Sequence, residues 1–223
     1  FNVYVSNKKS KSIKLKFSMI ISPRYSIQSL YIAFFGRPGD PDGIKYWSLE
    51  INNRDIKYIA RIFYSQDEYT YQFHDKKEDY LLNQFYLNLF SREIRPEELE
   101  FISSKIDNKN NNLCDVICDV ITFALDESLN KTLEEIIDFQ ALSNKLELSE
   151  LFTAYIQSDK LLLDCYQPES YTPWLSGENF QLVKKLVRST TNDYLPSSED
   201  VKSLSLLMIR NSQIDLTKPV ILM

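Results

Sequence analysis

The chain has 223 residues, 43% of them hydrophobic and 26% charged, with a formal net charge of −5. That gives room for one large or two small globular domains, each with a real core. It excludes a surface basic enough for nucleic acid, and no run approaches the ~18 apolar residues of a membrane-spanning helix.

The charge is unevenly placed. Residues 1–18 carry Lys8, Lys9, Lys11, Lys14 and Lys16 and no acid, so the remainder holds 21 basic against 31 acidic residues. This segment lacks helical periodicity and is expected to be a disordered basic arm. It resembles the start of a signal peptide, but "FSMIIS" after it is too short for the apolar region such a peptide needs. A chain that begins with Phe1 also fits a fragment or a processed product.

From residue 19 onward the apolar spacing is helical. Ile27, Leu30, Tyr31, Phe34 and Phe35 make one stripe, and Ile56, Ile59, Ile62 and Phe63 another. The segments Tyr80–Phe90, Pro96–Ile106, Leu113–Leu125, Leu133–Ile156, Phe180–Val187 and Val201–Ile209 follow the same rule. Alternating runs are confined to Asn2–Val5 and Ile13–Phe17, and four glycines leave little material for hairpins. The expected fold is all-α: a helical module over 19–160, then a smaller helical tail over 161–223 packed on it.

Part of the module is repeated. A shift of 55 residues lays "YIAFFGRPGDPDGIKYW" (31–47) on "YLNLFSREIRPEELEFI" (86–102). Tyr31 meets Tyr86, Phe35 meets Phe90, Arg37 meets Arg92, Pro41 meets Pro96 and Trp47 meets Ile102. After that the match slips by 5 through the polar "NKNNN" (108–112), which brings Phe63 onto Phe123. The unit is helix, corner, helix.

The glycine-rich corner admits three readings. A phosphate cradle is disfavoured, because the spacing of Gly36, Gly39 and Gly43 fits neither the dinucleotide fingerprint nor the P-loop, and no strand precedes it. Calcium would have Asp40 and Asp42, but the twelfth position of an EF-hand loop counted from Asp40 is Ile51, which leaves at most a weak contact. A capped corner accounts for more. Gly36 ends the first helix in a left-handed conformation, Asp40 caps the second, Pro41 occupies its first position, and Gly43 permits close packing. Ile44 and Trp47 are then expected to face inward.

Other chemistry is sparse. Arg37 and Arg92 each follow the first helix of a unit, where a guanidinium can bond free carbonyls; the other reading is an external carboxylate or sulfate. Cys114 and Cys118 stand one helical turn apart, too far for good disulfide geometry, and the lone His74 gives them no zinc partner. Buried reduced thiols and no metal are expected. No nucleophile elbow occurs. In "DEYTYQF" Tyr69 and Tyr71 cannot share a helix face, so one of them is expected to be exposed and free to stack on a sugar.

The first corner, "LYIAFFGRPGDPDGIKYW", resembles the Leu-Tyr…Gly-Arg-x-x-Asp-x-x-Gly-x-x-Tyr-Trp signature of a bacterial domain of unknown function found in S-layer, RTX-type and other secreted surface proteins. "FYSQDEY" (63–69) and "LSNKLELSELFTAYI" (142–156) are similar to its continuation. The resemblance implies an all-helical, non-catalytic module, and it makes Tyr31, Gly36, Arg37, Asp40, Gly43 and Trp47, with Arg92 in the second copy, fold-defining. The implied function is surface-associated binding or assembly, with envelope polysaccharide or another surface protein as partner. The alternatives are an accessory domain of an envelope-glycan enzyme such as a glycosyltransferase, and an assembly protein similar to phycobilisome linkers. Cell-surface or secreted residence follows from the resemblance; three cysteines and no clear signal peptide point instead to the cytoplasm.

Overall fold

In a computed structural model of the chain, residues 22–107, 112–126 and 129–215 are described. The basic arm expected over 1–18, and the alternating runs within it, lie outside them. The fold is all-α, with a single two-stranded hairpin among the described residues.

Helix α1 (Pro23–Phe35) starts at a Ser22 cap with Pro23 in its first turn, and ends at Gly36, φ 66°, whose N–H bonds Ile32 O. It is buried nearly all round, as a helix must be at the centre of a core. Asp40 caps α2 (Pro41–Glu50) through Gly43 N at 2.7 Å. Helices α3 (Ile56–Tyr64) and α4 (Asp67–Phe73) follow.

The second copy starts with α5 (Glu78–Phe90), which ends at Ser91 in the same left-handed conformation, φ 58°, its N–H on Leu87 O. α6 (Pro96–Asp107) and α7 (Leu113–Leu125) complete it. Each copy uses one half of a capping box. In the first, the Asp40 carboxylate accepts from Gly43 N; in the second, Glu98, at the place of Gly43, accepts from Arg95 N at 2.9 Å. The copies meet where α1 crosses α5, with Asn88 Nδ2 donating to Ala33 O at 2.9 Å.

The long helix α8 (Leu133–Gln157), opened by a capping box of Thr132 and Glu135, lies against α1, α5 and α7. Then come α9 (Lys160–Cys165), a hairpin of β1 (Ser170–Tyr171) and β2 (Trp174–Leu175) paired antiparallel around a cis Thr172–Pro173 bond, α10 (Gly177–Ser189) and α11 (Ser198–Asp215). The tail shares the module's core: Tyr166, Phe180, Val183 and Val187 belong to the same buried cluster as Phe34 and Phe85.

Candidate functional site

The two corners agree down to side-chain geometry. The Arg37 guanidinium lies over the rings of Tyr31 and Phe35 at 5.4 and 5.5 Å, and Arg92 lies over Tyr86 and Phe90 at 5.0 and 5.8 Å. Each arginine donates to the carbonyl of the next residue, Pro38 O or Glu93 O, at 3.0 Å. A side-chain amide one helix back accepts from the corner backbone: Gln28 Oε1 from Gly39 N at 2.8 Å, and Asn83 Oδ1 from Ile94 N at 3.0 Å. The 55-residue shift also aligns Gln28 with Asn83, so this pair was there to be found.

The arginines do not bond the helix ends. The left-handed turn at Gly36 and Ser91 steers the chain off the helix axis, and the amides of those two residues already occupy Ile32 O and Leu87 O. Arg37 instead grips Glu68 of α4 through two bonds of 2.8 and 2.6 Å, with side-chain exposures of 7% and 8%. Burial works against the guanidinium's charge, but Glu68, with Tyr166 and Tyr31 adding, outweighs it and keeps Arg37 firmly protonated. That leaves Arg37 no room for an external anion. Arg92, half-buried, holds Asp138 of α8 at 2.6 Å and Glu98 at 2.7 Å.

Of the two tyrosines set apart in "DEYTYQF" one is exposed, as expected, and the other needs a correction as a contact. Tyr69 is 4% exposed, ringed by Phe34, Tyr64, Phe73 and Phe85, and offers no face to a ligand. Glu68, next to it on α4, is buried in its pair with Arg37. Tyr71 is the exposed one, at 52%. Ile44 is fully buried, whereas Trp47 is buried only in part, edge-on to Phe63 at 5.6 Å. Asp42 is exposed, and among the described residues no three His, Cys, Asp or Glu side chains gather to hold a metal ion.

Four side chains capable of covalent chemistry, Cys114, Cys118, Cys165 and Lys145, are buried. All three cysteines are buried and free. Burial, with Asp115 adding, pushes the Cys114 thiol up to about 12; burial, with Cys114 adding, does the same for Cys118. Lys145 has no exposed surface, and burial, with Arg188 adding, lowers its amine to about 7. Its Nζ donates to Leu87 O and Asn88 O at 3.2 and 2.5 Å, so it caps the end of α5. His74 is exposed, its Nδ1 3.2 Å from Thr70 O.

Two hollows remain. One, of about 600 Å³, lies between α6, α7 and α8. It exists because the copies differ. Where the first sets Trp47 edge-on to a Phe63 that is 2% exposed, the second has the smaller Ile102, and Phe123 stands 47% exposed. The acids on its wall are already engaged, Glu98 and Asp138 by Arg92 and Asp119 by Lys57.

The other is a cleft of about 390 Å³ where α1, α4, α5 and α10 converge. Tyr80, with the partly buried Phe73, supplies its aromatic surface over the buried Phe34 and Phe35; Gln72, Gln84, Asn88 and Gln181 supply amides; Lys184, Lys185 and Arg188 supply positive charge. Gly36 lies at its edge, held there by the end of α1. Tyr71 does not line it. The stacking candidate that does is Tyr80, which in the sequence is one more member of a helical stripe.

Comparison with protein-family models, curated proteins and solved structures finds no match to this chain. The likeness of the first corner to the surface-protein module therefore stands on its residues alone. No described helix is long and apolar enough to cross a membrane.

Proposed function

We propose that this chain is a non-catalytic, surface-associated binding module, and that its ligand is a saccharide of the cell envelope taken up in the cleft between α4, α5 and α10. The observation that carries the reading is the cleft's pairing of aromatic surface with four side-chain amides. An amide offers both a donor and an acceptor, which is what a ring bearing several hydroxyls needs, and an aromatic face suits the ring's apolar side. Gln72 and Asn88 each spend a donor on a backbone carbonyl, of Glu68 and Ala33. The side chains of Gln84 and Gln181 make no hydrogen bond with other described residues. A volume near 390 Å³ is in the range of small-ligand sites. Buried, poorly ionising thiols and a buried capping lysine support binding over catalysis. The surface placement rests on the resemblance of the Gly36–Trp47 corner.

A single shallow site of this kind binds in the micromolar to millimolar range, about −4 to −8 kcal/mol, and arrayed copies would add avidity. The test is an envelope-polysaccharide array followed by calorimetry, on the parent and on Tyr80→Ala and Gln84→Ala. Both side chains are at least partly exposed, so both variants should fold. Binding that falls about tenfold in each supports the cleft. A silent array, or variants that bind like the parent, defeats the reading.

A further inference from the structure

Lys184 is where the cleft departs from a site for neutral sugar. Its side chain is only 15% exposed, and its nearest carboxylate oxygen, Glu68 Oε1, is 3.8 Å away. That carboxylate is already engaged twice by Arg37, so one negative charge faces two positive ones. The other polar neighbour, Gln72 Oε1, stands at 3.5 Å, the limit of a hydrogen bond. The Trp174 ring centroid is 5.9 Å from the amine. Burial lowers the amine to about 8, Glu68 opposing the shift and Arg37 and Arg188 adding to it. An ammonium largely removed from water and short of counter-charge is an incomplete interaction.

Nothing on the cleft wall completes it. The wall contains no Asp or Glu among the described residues; the other charges are Lys185 and Arg188, both exposed and without an ion pair there. Helix α10 sets these cations together, because residues 184 and 188 are one turn apart and 185 and 188 three apart. Exposed lysines and arginines alone would be an ordinary solvated face. The buried member is what distinguishes this one.

We propose that the ligand of this cleft supplies the missing charge: the saccharide is acidic, with a carboxylate, sulfate or phosphate group seated between Lys184, Lys185 and Arg188. The inference rests on the saccharide reading above and adds the charge of the ligand. In this arrangement the amides hold the hydroxyls, the aromatic surface takes the ring, and the cations fix the acid.

Calorimetry on the full chain tests it with three probes: a uronic-acid tetrasaccharide, the same tetrasaccharide with its carboxyls reduced to alcohols, and inorganic sulfate. The acidic probe should bind about tenfold or more tighter than the reduced one, with affinity falling as salt rises. Lys184→Met, which keeps the buried stem, and Arg188→Gln, at an exposed site, should each erase most of that preference. If acidic and reduced probes bind alike, the charge inference fails and the saccharide reading stands. If sulfate binds and depends on Lys184 while neither saccharide binds, the anion site stands and the saccharide reading fails. If none of the three binds, both fail.

Discussion

The Tyr31 hydroxyl occupies the space that a Cβ on Gly43 would take: such an atom would lie 2.2 Å from the oxygen and 2.9 Å from Asp40 Oδ2. Gly43 is inside α2, where alanine would otherwise gain up to about 1 kcal/mol of helix propensity. The clash outweighs that gain. Gly43→Ala should destabilise the protein by about 1–3 kcal/mol in urea unfolding. In a Tyr31→Phe background the penalty should shrink by about 1 kcal/mol or more, because the offending oxygen is gone. An unchanged penalty would mean that Tyr31 is not the obstacle.

The two arginines should rank by burial. Glu68→Gln strands the Arg37 guanidinium in the core, and cutting one partner from a buried pair costs about 3–5 kcal/mol. Arg92 is half-buried and has two carboxylates, so Asp138→Asn leaves it with Glu98 and should cost about 1 kcal/mol. Chemical denaturation of the two variants checks the order, and the reverse ranking would show that the first corner is not the tighter one.

Alkaline pH should first stabilise the fold. Lys145 and Lys184 have folded pKa values lowered to about 7 and about 8, from an ordinary 10.5. Between those values and 10.5 the unfolded chain binds more protons than the native one, so stability rises with pH, and it is lost as pH falls through the folded values. From pH 7 to 9 the gain should be on the order of 2 kcal/mol. Above pH 9 it should reverse, because Cys114, Cys118 and the buried tyrosines ionise more readily once unfolded. Urea midpoints from pH 6 to 10 read the profile. Lys145→Met should flatten its rising limb, and a parent profile already flat there would refute the lysine assignment.

Thiol labelling should report global opening. Cys114, Cys118 and Cys165 are all buried, and the first two also ionise poorly. Native protein at pH 8 should leave all three unreacted with iodoacetamide for hours, whereas in denaturant they should label within minutes. Prompt labelling of any one in native buffer would contradict the packing around α7 or α9.

Much of the architecture was legible because local rules and the repeat agreed. Gly36, Asp40 and Pro41 announce a helix end and a helix start, and the 55-residue shift shows that the corner recurs even where Ser91 replaces glycine. What was not legible came from elsewhere in the chain. Glu68 and Asp138 are not equivalent positions in the repeat, so no spacing paired them with Arg37 and Arg92. The exposure of Tyr71 over Tyr69 depends on how α4 docks, which its seven residues do not specify. The cleft is assembled from four helices, and "KKLVR" (184–188) reads in sequence as an ordinary solvated face.

Helix α8 touches both corners. Asp138 holds Arg92 near one end, and Thr153 Oγ1 near the other donates to Gly39 O at 2.8 Å and accepts from Gln28 at 3.0 Å. The fifteen-residue step from Asp138 to Thr153 spans about 22 Å at the rise of an α-helix. The helix thereby acts as a ruler with a fixed phase. One residue inserted between those contacts would displace the far one by about 1.5 Å and rotate it by roughly 100°, so one corner would have to let go. Only a change of whole turns would keep both in phase, and even that would move them apart. The length of α8 is thus set by the distance between two copies of a motif to which α8 itself does not belong.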